Sequence, residues 1–91
     1  MTNRNILITG VSGMIGTQLV HKLSEDSTLN IIGVDCSLIH DTTQYFKERL
    51  ESLDNISNFK FIYGDVRNET LLEKLCNEAD VIIPLAAIVG F

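Results

Sequence analysis

Short runs of apolar residues alternate with amphipathic segments along the whole chain. Four apolar runs have the length and β-branched content of buried strands, at residues 6–8, 30–35, 59–65 and 81–85. Three segments between them carry apolar residues at helical spacing, at residues 14–25, 41–53 and 68–75. This βαβαβαβ order with short connections predicts an α/β fold, with parallel strands, right-handed crossovers and helices on both faces of the sheet.

Single residues refine this pattern. Lys60 interrupts the third apolar run, which favours an edge strand, and Pro84 should lie near the end of the fourth strand or face an unpaired side. Asp41 and Asn68 are predicted to cap the second and third helices. The predicted buried stripe of the first helix is Ile15, Leu19, Val20 and Leu23, opposite Thr17, Gln18, His21 and Lys22.

Composition places the chain among folded proteins. It has 91 residues, of which 45% are hydrophobic and 21% charged, so it forms one small domain or part of a larger one. The net charge of -5, with no basic block, argues against nucleic acid or an anionic membrane surface as a partner. No apolar run approaches the roughly 20 residues of a membrane span, and no signal peptide is apparent, which predicts a cytoplasmic protein.

Cysteines and histidines give no sign of a metal or disulfide site. Cys36 and Cys76 are far apart and belong to no Cys-x-x-Cys pair, so we expect reduced, partly buried thiols. His21 and His40 lack partners at metal-ligand spacing and are expected at the surface.

Three evenly spaced glycines separate the first strand from the first helix. Gly10 would let the chain turn, Gly13 would let backbone approach a pyrophosphate, and Gly16 would let the helix pack closely on the sheet. The helix N-terminus would supply N–H groups and a partial positive charge. Ser12 would either bind a phosphate or cap the helix. The plainer alternative is a tight strand-to-helix connection.

A carboxylate supports the dinucleotide interpretation. Asp35 ends the second strand, 19 residues after Gly16, where an acidic residue binds the adenosine ribose. It would repel the extra phosphate of NADP, and Cys36 and Ser37 supply no arginine for that phosphate, so NAD is the favoured cofactor. The alternative is that Asp35 is a turn residue.

The segment "TGVSGMIG", residues 9–16, resembles the TGxxGxxG motif of extended short-chain dehydrogenases/reductases, the NAD-dependent epimerase/dehydratase family. "GDVRN" (64–68) and "PLAAIVG" (84–90) are similar to two later motifs of that family, so the resemblance covers essentially the whole chain. It implies a Rossmann-type three-layer fold with strand order 3-2-1-4. Residues 1–91 would then be the N-terminal part of an NAD(P)-binding Rossmann domain.

The resemblance also implies roles for individual residues. The pyrophosphate would be bound by the three glycines with the Met14 and Ile15 backbone, and the adenosine ribose by Asp35. The adenine would contact Asp65 and Val66, and the middle of the cofactor would lie beside Leu85, Ala86 and Ala87. Without the resemblance, Asp65 is a turn residue and the alanines are core. Pro84 departs from the commoner His or Phe of the family.

The family's catalytic residues have no counterpart in this sequence. Its acid/base tyrosine belongs to a Tyr-x-x-x-Lys pair after the fourth strand, whereas Tyr45 and Tyr63 are each followed four residues later by arginine. The resemblance therefore implies the NAD-binding portion of an epimerase, dehydratase or reductase, with a nucleotide-linked sugar as substrate only in a longer chain.

Two other interpretations stay open at this point. The chain could be a non-catalytic dinucleotide-binding module, or a truncated product completed by a partner chain at the fourth strand. A flavodoxin-like signalling domain does not account for the glycines. Because the fourth strand would leave an apolar, unpaired edge, residues 1–91 alone are expected to be marginally stable or to self-associate. A sharp, reversible melt of a monomer would contradict that expectation.

Overall fold

The computed structural model describes residues 3–35 and 44–86. Strands and helices alternate through both ranges, as predicted. The seven elements are β1 (Arg4–Thr9), α1 (Met14–Leu23), β2 (Leu29–Asp35), α2 (Gln44–Leu53), β3 (Phe59–Tyr63), α3 (Glu69–Glu78) and β4 (Val81–Pro84).

The four strands form one parallel sheet in the order β3-β2-β1-β4. This confirms the predicted α/β fold and strand order. Lys60 does lie in an edge strand, β3, and Pro84 is the last residue of β4. Pairing continues one residue beyond Pro84, because the Leu85 N–H donates to the Thr9 carbonyl at 3.0 Å. The missing N–H of proline therefore costs the sheet little at this position.

The hydrophobic core lies on both faces of the sheet. On one face, the strands pack against Val20 of α1 and Leu53 of α2. On the other, Leu7 of β1 and Val34 of β2 pack against Leu75 of α3. Side chains of consecutive strand residues point to opposite faces, so each central strand supplies both clusters. The result is the predicted arrangement of three layers, with helices on both sides.

The predicted buried face of α1 is wrong at two positions. Thr17 is only 5% exposed, although the helical spacing predicts it on the polar face, and Ile15 is 70% exposed although the spacing predicts it on the buried face. Gly16 brings the helix against the backbone of Val11, which turns the neighbouring Thr17 toward the sheet. Its hydroxyl donates to the carbonyls of Gly13 at 2.8 Å and Val11 at 3.2 Å, so a buried polar group is satisfied.

The Asn68 cap is confirmed, because its side chain accepts from the Leu71 N–H at 3.2 Å. Asp41, the other predicted cap, lies outside the described residues, as do Cys36 and His40. Cys76 is a half-buried free thiol, and the exposed His21 ring nitrogen lies 2.9 Å from the Ser52 hydroxyl of α2. Within the two described ranges, no group of metal-ligating side chains occurs.

Strand β4 forms one edge of the sheet. It pairs with β1, and among the described residues no strand pairs with its other side. Val81 and Ile82 on β4 are exposed. These features agree with the reasoning behind the self-association expected for residues 1–91, which stays a prediction. No helix in residues 3–35 and 44–86 is long and apolar enough to cross a membrane.

Candidate functional site

The carboxyl ends of all four strands meet at one edge of the sheet, because the strands are parallel. The chain leaves β1 through α1 toward β2 and β3, and it returns through α3 to place β4 on the other side of β1. The strand order therefore reverses between β1 and β4, which makes this end of the sheet a topological switch point. Eleven of the twelve predicted site residues lie at this edge: Gly10, Ser12, Gly13, Met14, Ile15, Gly16, Asp35, Asp65, Val66, Leu85 and Ala86. Ala87 lies outside the described residues.

Gly10 makes the turn at the end of β1. Its φ is 73°, in the left-handed region, and its N–H donates to the Val34 carbonyl at 2.9 Å. A Cβ atom here would lie 2.6 Å from the backbone nitrogen of Ala86. That nitrogen donates to the Thr9 hydroxyl at 3.4 Å. Glycine is therefore required at position 10 for two reasons: the left-handed backbone conformation, and the close approach of the segment that follows β4.

The other two glycines differ in what surrounds them. A Cβ at Gly16 would lie 2.7 Å from the Val11 carbonyl oxygen and 2.8 Å from that of Gly10. At Gly13 the nearest atom would be the Gly10 oxygen at 3.4 Å, an ordinary contact, and its φ of -70° suits any residue. Nothing in the described residues requires glycine at position 13. The absence of a side chain there leaves the start of α1 open.

The first turn of α1 presents backbone donors to this opening. Gly13 is the N-cap residue and has no side chain, and the first intrahelical bond runs from the Thr17 N–H to the Gly13 carbonyl at 3.0 Å. The N–H groups of Met14, Ile15 and Gly16 precede that bond, as at any helix start. Together with the helix dipole they form a favourable environment for an anion.

Ser12 connects this loop to Asp35. Its N–H donates to Asp35 Oδ2 at 2.9 Å, and its buried hydroxyl donates to the same oxygen. The N-cap residue is Gly13 rather than Ser12, so the capping alternative is wrong. The phosphate contact of Ser12 stays a prediction. Asp35 is more than a turn residue, because it joins the end of β2 to the glycine loop.

Arg49 of α2 also contacts the glycine loop, although the sequence motifs do not include it. Its Nε donates to the Ser12 carbonyl at 2.7 Å, and its side chain is half-buried. One signal was available. Leu53 is the buried end of α2, and a residue four positions earlier lies on the same helix face, which points toward the sheet.

Asp65 lies two residues beyond β3 and is paired with Arg67. The Arg67 N–H donates to Oδ1 at 2.8 Å, and its Nη2 lies 2.6 Å from Oδ2. The side-chain hydrogen bonding with Arg67 contributes most and the backbone bond next, and together they lower the pKa of Asp65 to about 2. Asp65 is therefore an ionised hydrogen-bond acceptor at neutral pH. Val66 beside it is half-buried.

Comparisons with curated proteins point in one direction. A family model described as the NAD dependent epimerase/dehydratase family matches residues 6–91. The chain is 30% identical over 83 residues to "Low-salt glycan biosynthesis protein Agl12" from Haloferax volcanii, covering 91% of this chain and 26% of that protein. It is 38% identical over 88 residues to "Uncharacterized UDP-glucose epimerase YtcB" from Bacillus subtilis, covering 93% of this chain and 27% of that protein.

Solved structures show the same likeness. UDP-glucuronic acid 4-epimerase from Bacillus cereus, in complex with NAD, has a TM-score of 0.81 and 36% identity, covering 96% of this chain and 28% of that one. dTDP-glucose 4,6-dehydratase from Bacillus anthracis, also in complex with NAD, has a TM-score of 0.73 and 33% identity, covering 93% and 27%. The chain thus spans little more than a quarter of the length of these relatives.

Proposed function

This chain belongs to the NAD-dependent epimerase/dehydratase family, and we propose that residues 1–91 are the NAD-binding portion of such an enzyme. One observation carries the proposal: the open start of α1, where Gly13 leaves room, lies next to a carboxylate held by the same loop. A dinucleotide needs both features, because its pyrophosphate is anionic and its adenosine ribose offers hydroxyl donors.

Each part of the cofactor has proposed partners in this chain. The glycine loop and the backbone N–H groups of Met14 and Ile15 would bind the pyrophosphate. The Ser12 hydroxyl would donate to it only by giving up its bond to Asp35. Asp35 would accept from the adenosine ribose. Asp65, a carboxylate whose pKa is lowered further by its bonds to Arg67, would accept from the adenine amino group beside Val66. The middle of the cofactor would lie beside Leu85, Ala86 and Ala87.

Asp35 is proposed to select NAD over NADP. We expect Asp35→Ala to lower NAD affinity by about 10- to 100-fold, because a hydrogen bond to a charged group is worth about 1.5–3 kcal/mol. The affinity for NADP should hold or rise, since the repulsion of its extra phosphate is removed. Titrations of both cofactors against both proteins measure this change.

Asp54→Ala is the matched control for this titration, because it removes an exposed aspartate at the end of α2 and should change neither affinity. If the unsubstituted protein bound NADP as tightly as NAD, the proposed role of Asp35 would be wrong.

The activity of the whole protein is also part of the proposal. We propose NAD-dependent chemistry on a nucleotide-linked sugar, because the similar structures include a UDP-glucuronic acid 4-epimerase and a dTDP-glucose 4,6-dehydratase. The cytoplasmic location predicted from the sequence is a separate part of the proposal. When bound, the nicotinamide would supply the hydride acceptor. The acid/base tyrosine and the substrate-binding residues would follow in a longer chain.

The intact mass of the protein from its native source tests this last part. A mass well above 10.1 kDa supports a continuing chain, in which a Tyr-x-x-x-Lys pair should be found. A mass of 10.1 kDa favours the alternative, a dinucleotide-binding module that lacks catalytic residues or is completed by a partner chain.

A further inference from the structure

We propose that Arg49 is a positioning residue for recognition of the adenosine ribose, and this proposal rests on the proposed NAD binding. Arg49 belongs to α2, outside the three motifs that resemble the family. Through Ser12, it would keep the Asp35 carboxylate oriented toward the ribose hydroxyls. Arg49 would thereby increase the affinity for the cofactor, although we propose no direct contact between them.

Three hydrogen bonds carry the argument. Arg49 Nε donates to the Ser12 carbonyl at 2.7 Å. The N–H and the hydroxyl of Ser12 both donate to Asp35 Oδ2. The three residues are far apart in sequence, so the contacts depend on how α2 packs against the sheet. Ser12 therefore lies between the other two residues: its carbonyl accepts from Arg49, and its N–H and hydroxyl hold the Asp35 carboxylate.

The position of α2 makes Arg49 suited to this task. Leu53, one helical turn after Arg49, is buried in the core, and the Ser52 hydroxyl lies 2.9 Å from the His21 ring of α1. The helix is therefore attached to both the sheet and α1. A half-buried guanidinium bound to a carbonyl forms a charge-assisted hydrogen bond, which is stronger than a neutral one.

Losing the Arg49 bond should loosen Ser12 and, through it, Asp35. The Ser12 carbonyl would lose a charged donor, and the peptide group that joins Ser12 to Gly13 would rely more on the Gly13 N–H bond to the Gly10 carbonyl at 3.2 Å. Asp35 Oδ2 would then be held by donors whose own orientation is less fixed. Preorganised groups bind with less loss of entropy, so a less fixed Asp35 should bind the ribose hydroxyls more weakly. The contacts to the rest of the cofactor should change little.

The test compares NAD with its analogue lacking the 2′-hydroxyl of the adenosine ribose, in the full protein as its gene encodes it. Arg49→Met keeps the apolar stem but removes the donors. We expect it to weaken NAD binding about tenfold and to change the affinity for the 2′-deoxy analogue much less. Arg49→Lys, which can still donate to the carbonyl, should restore part of the difference. Lys47→Met, an exposed charge lost from the same helix, should have no effect.

A double-mutant cycle separates positioning from a general structural role. In an Asp35→Asn background, Arg49→Met should cause no further change in NAD affinity, because its effect passes through that carboxylate. Arg49→Leu, which also leaves the Ser12 carbonyl without its charged donor, provides a second variant if Arg49→Met is too unstable to titrate, and it should reduce the preference for the 2′-hydroxyl in the same way.

The outcomes distinguish this inference from the proposed function. If the unsubstituted protein fails to bind NAD, the proposed function is wrong. If it binds NAD while Arg49→Met behaves like Lys47→Met, only the inference is overturned. The inference would also be overturned if Arg49→Met weakened the binding of NAD and of its 2′-deoxy analogue equally. The same holds if the effects of Arg49→Met and Asp35→Asn on NAD affinity were fully additive.

Discussion

Replacing Gly10 with alanine is expected to lower the free energy of unfolding by about 2–5 kcal/mol. The left-handed conformation, with φ at 73°, costs a residue with a Cβ about 1–2 kcal/mol, and overpacking typically adds 1–3 kcal/mol. The new methyl group would lie 2.6 Å from the Ala86 nitrogen and 2.9 Å from the Leu85 carbonyl carbon. Such a loss is a large part of the total stability of a small domain.

The clash at Gly10 is not easily relieved, because the atoms that it meets are held in place. The Leu85 N–H donates to the Thr9 carbonyl at 3.0 Å, and the Ala86 N–H donates to the Thr9 hydroxyl. Moving this segment away would break the last pairing between β1 and the chain after β4. Urea denaturation followed by circular dichroism measures the effect.

Gly13→Ala is the matched control for stability, because its methyl group would meet only the Gly10 oxygen at 3.4 Å. Equal free energies of unfolding for Gly10→Ala and Gly13→Ala would contradict the prediction. That result would mean that the turn after β1 rearranges at little cost.

Most of the fold was predictable because its signals are local. Each strand is a short β-branched run, each crossover is short, and parallel strands joined by helices allow few topologies. Lys60 and Pro84 pointed correctly to a sheet edge and to a strand end. The candidate site residues lie together because of this topology, since residues at the carboxyl ends of parallel strands meet at one edge of the sheet.

What sequence alone did not provide was the contacts between these residues. The buried Thr17 and the exposed Ile15 reverse the expected pattern, because close packing at Gly16 sets the rotation of α1 more strongly than its apolar residues do. The bond from Ser12 to Asp35 spans 23 positions. The bond from Arg49 to Ser12 spans 37 and depends on the placement of a whole helix. No periodicity or local motif reports such distances.

The glycine at position 13 has no structural reason among the described residues, and this leads to the second prediction. Gly13→Ala should change the free energy of unfolding by less than about 1 kcal/mol, because its extended backbone suits alanine and the nearest atom is at ordinary contact distance. NAD affinity should nevertheless fall by about 10- to 100-fold, or roughly 1.4–2.8 kcal/mol. The methyl group would occupy the space in which we propose that the pyrophosphate approaches the first turn of α1.

Adenosine is the matched ligand for this experiment, because it has the ribose and adenine but no pyrophosphate. Calorimetric titration should show that Gly13→Ala weakens NAD binding and leaves adenosine binding unchanged. A loss for both ligands would indicate a general disturbance of the loop, including the Ser12 bonds to Asp35. Unchanged binding of both would mean that the opening at Gly13 is not where the pyrophosphate lies, and the glycine spacing would then reflect only a tight turn between β1 and α1.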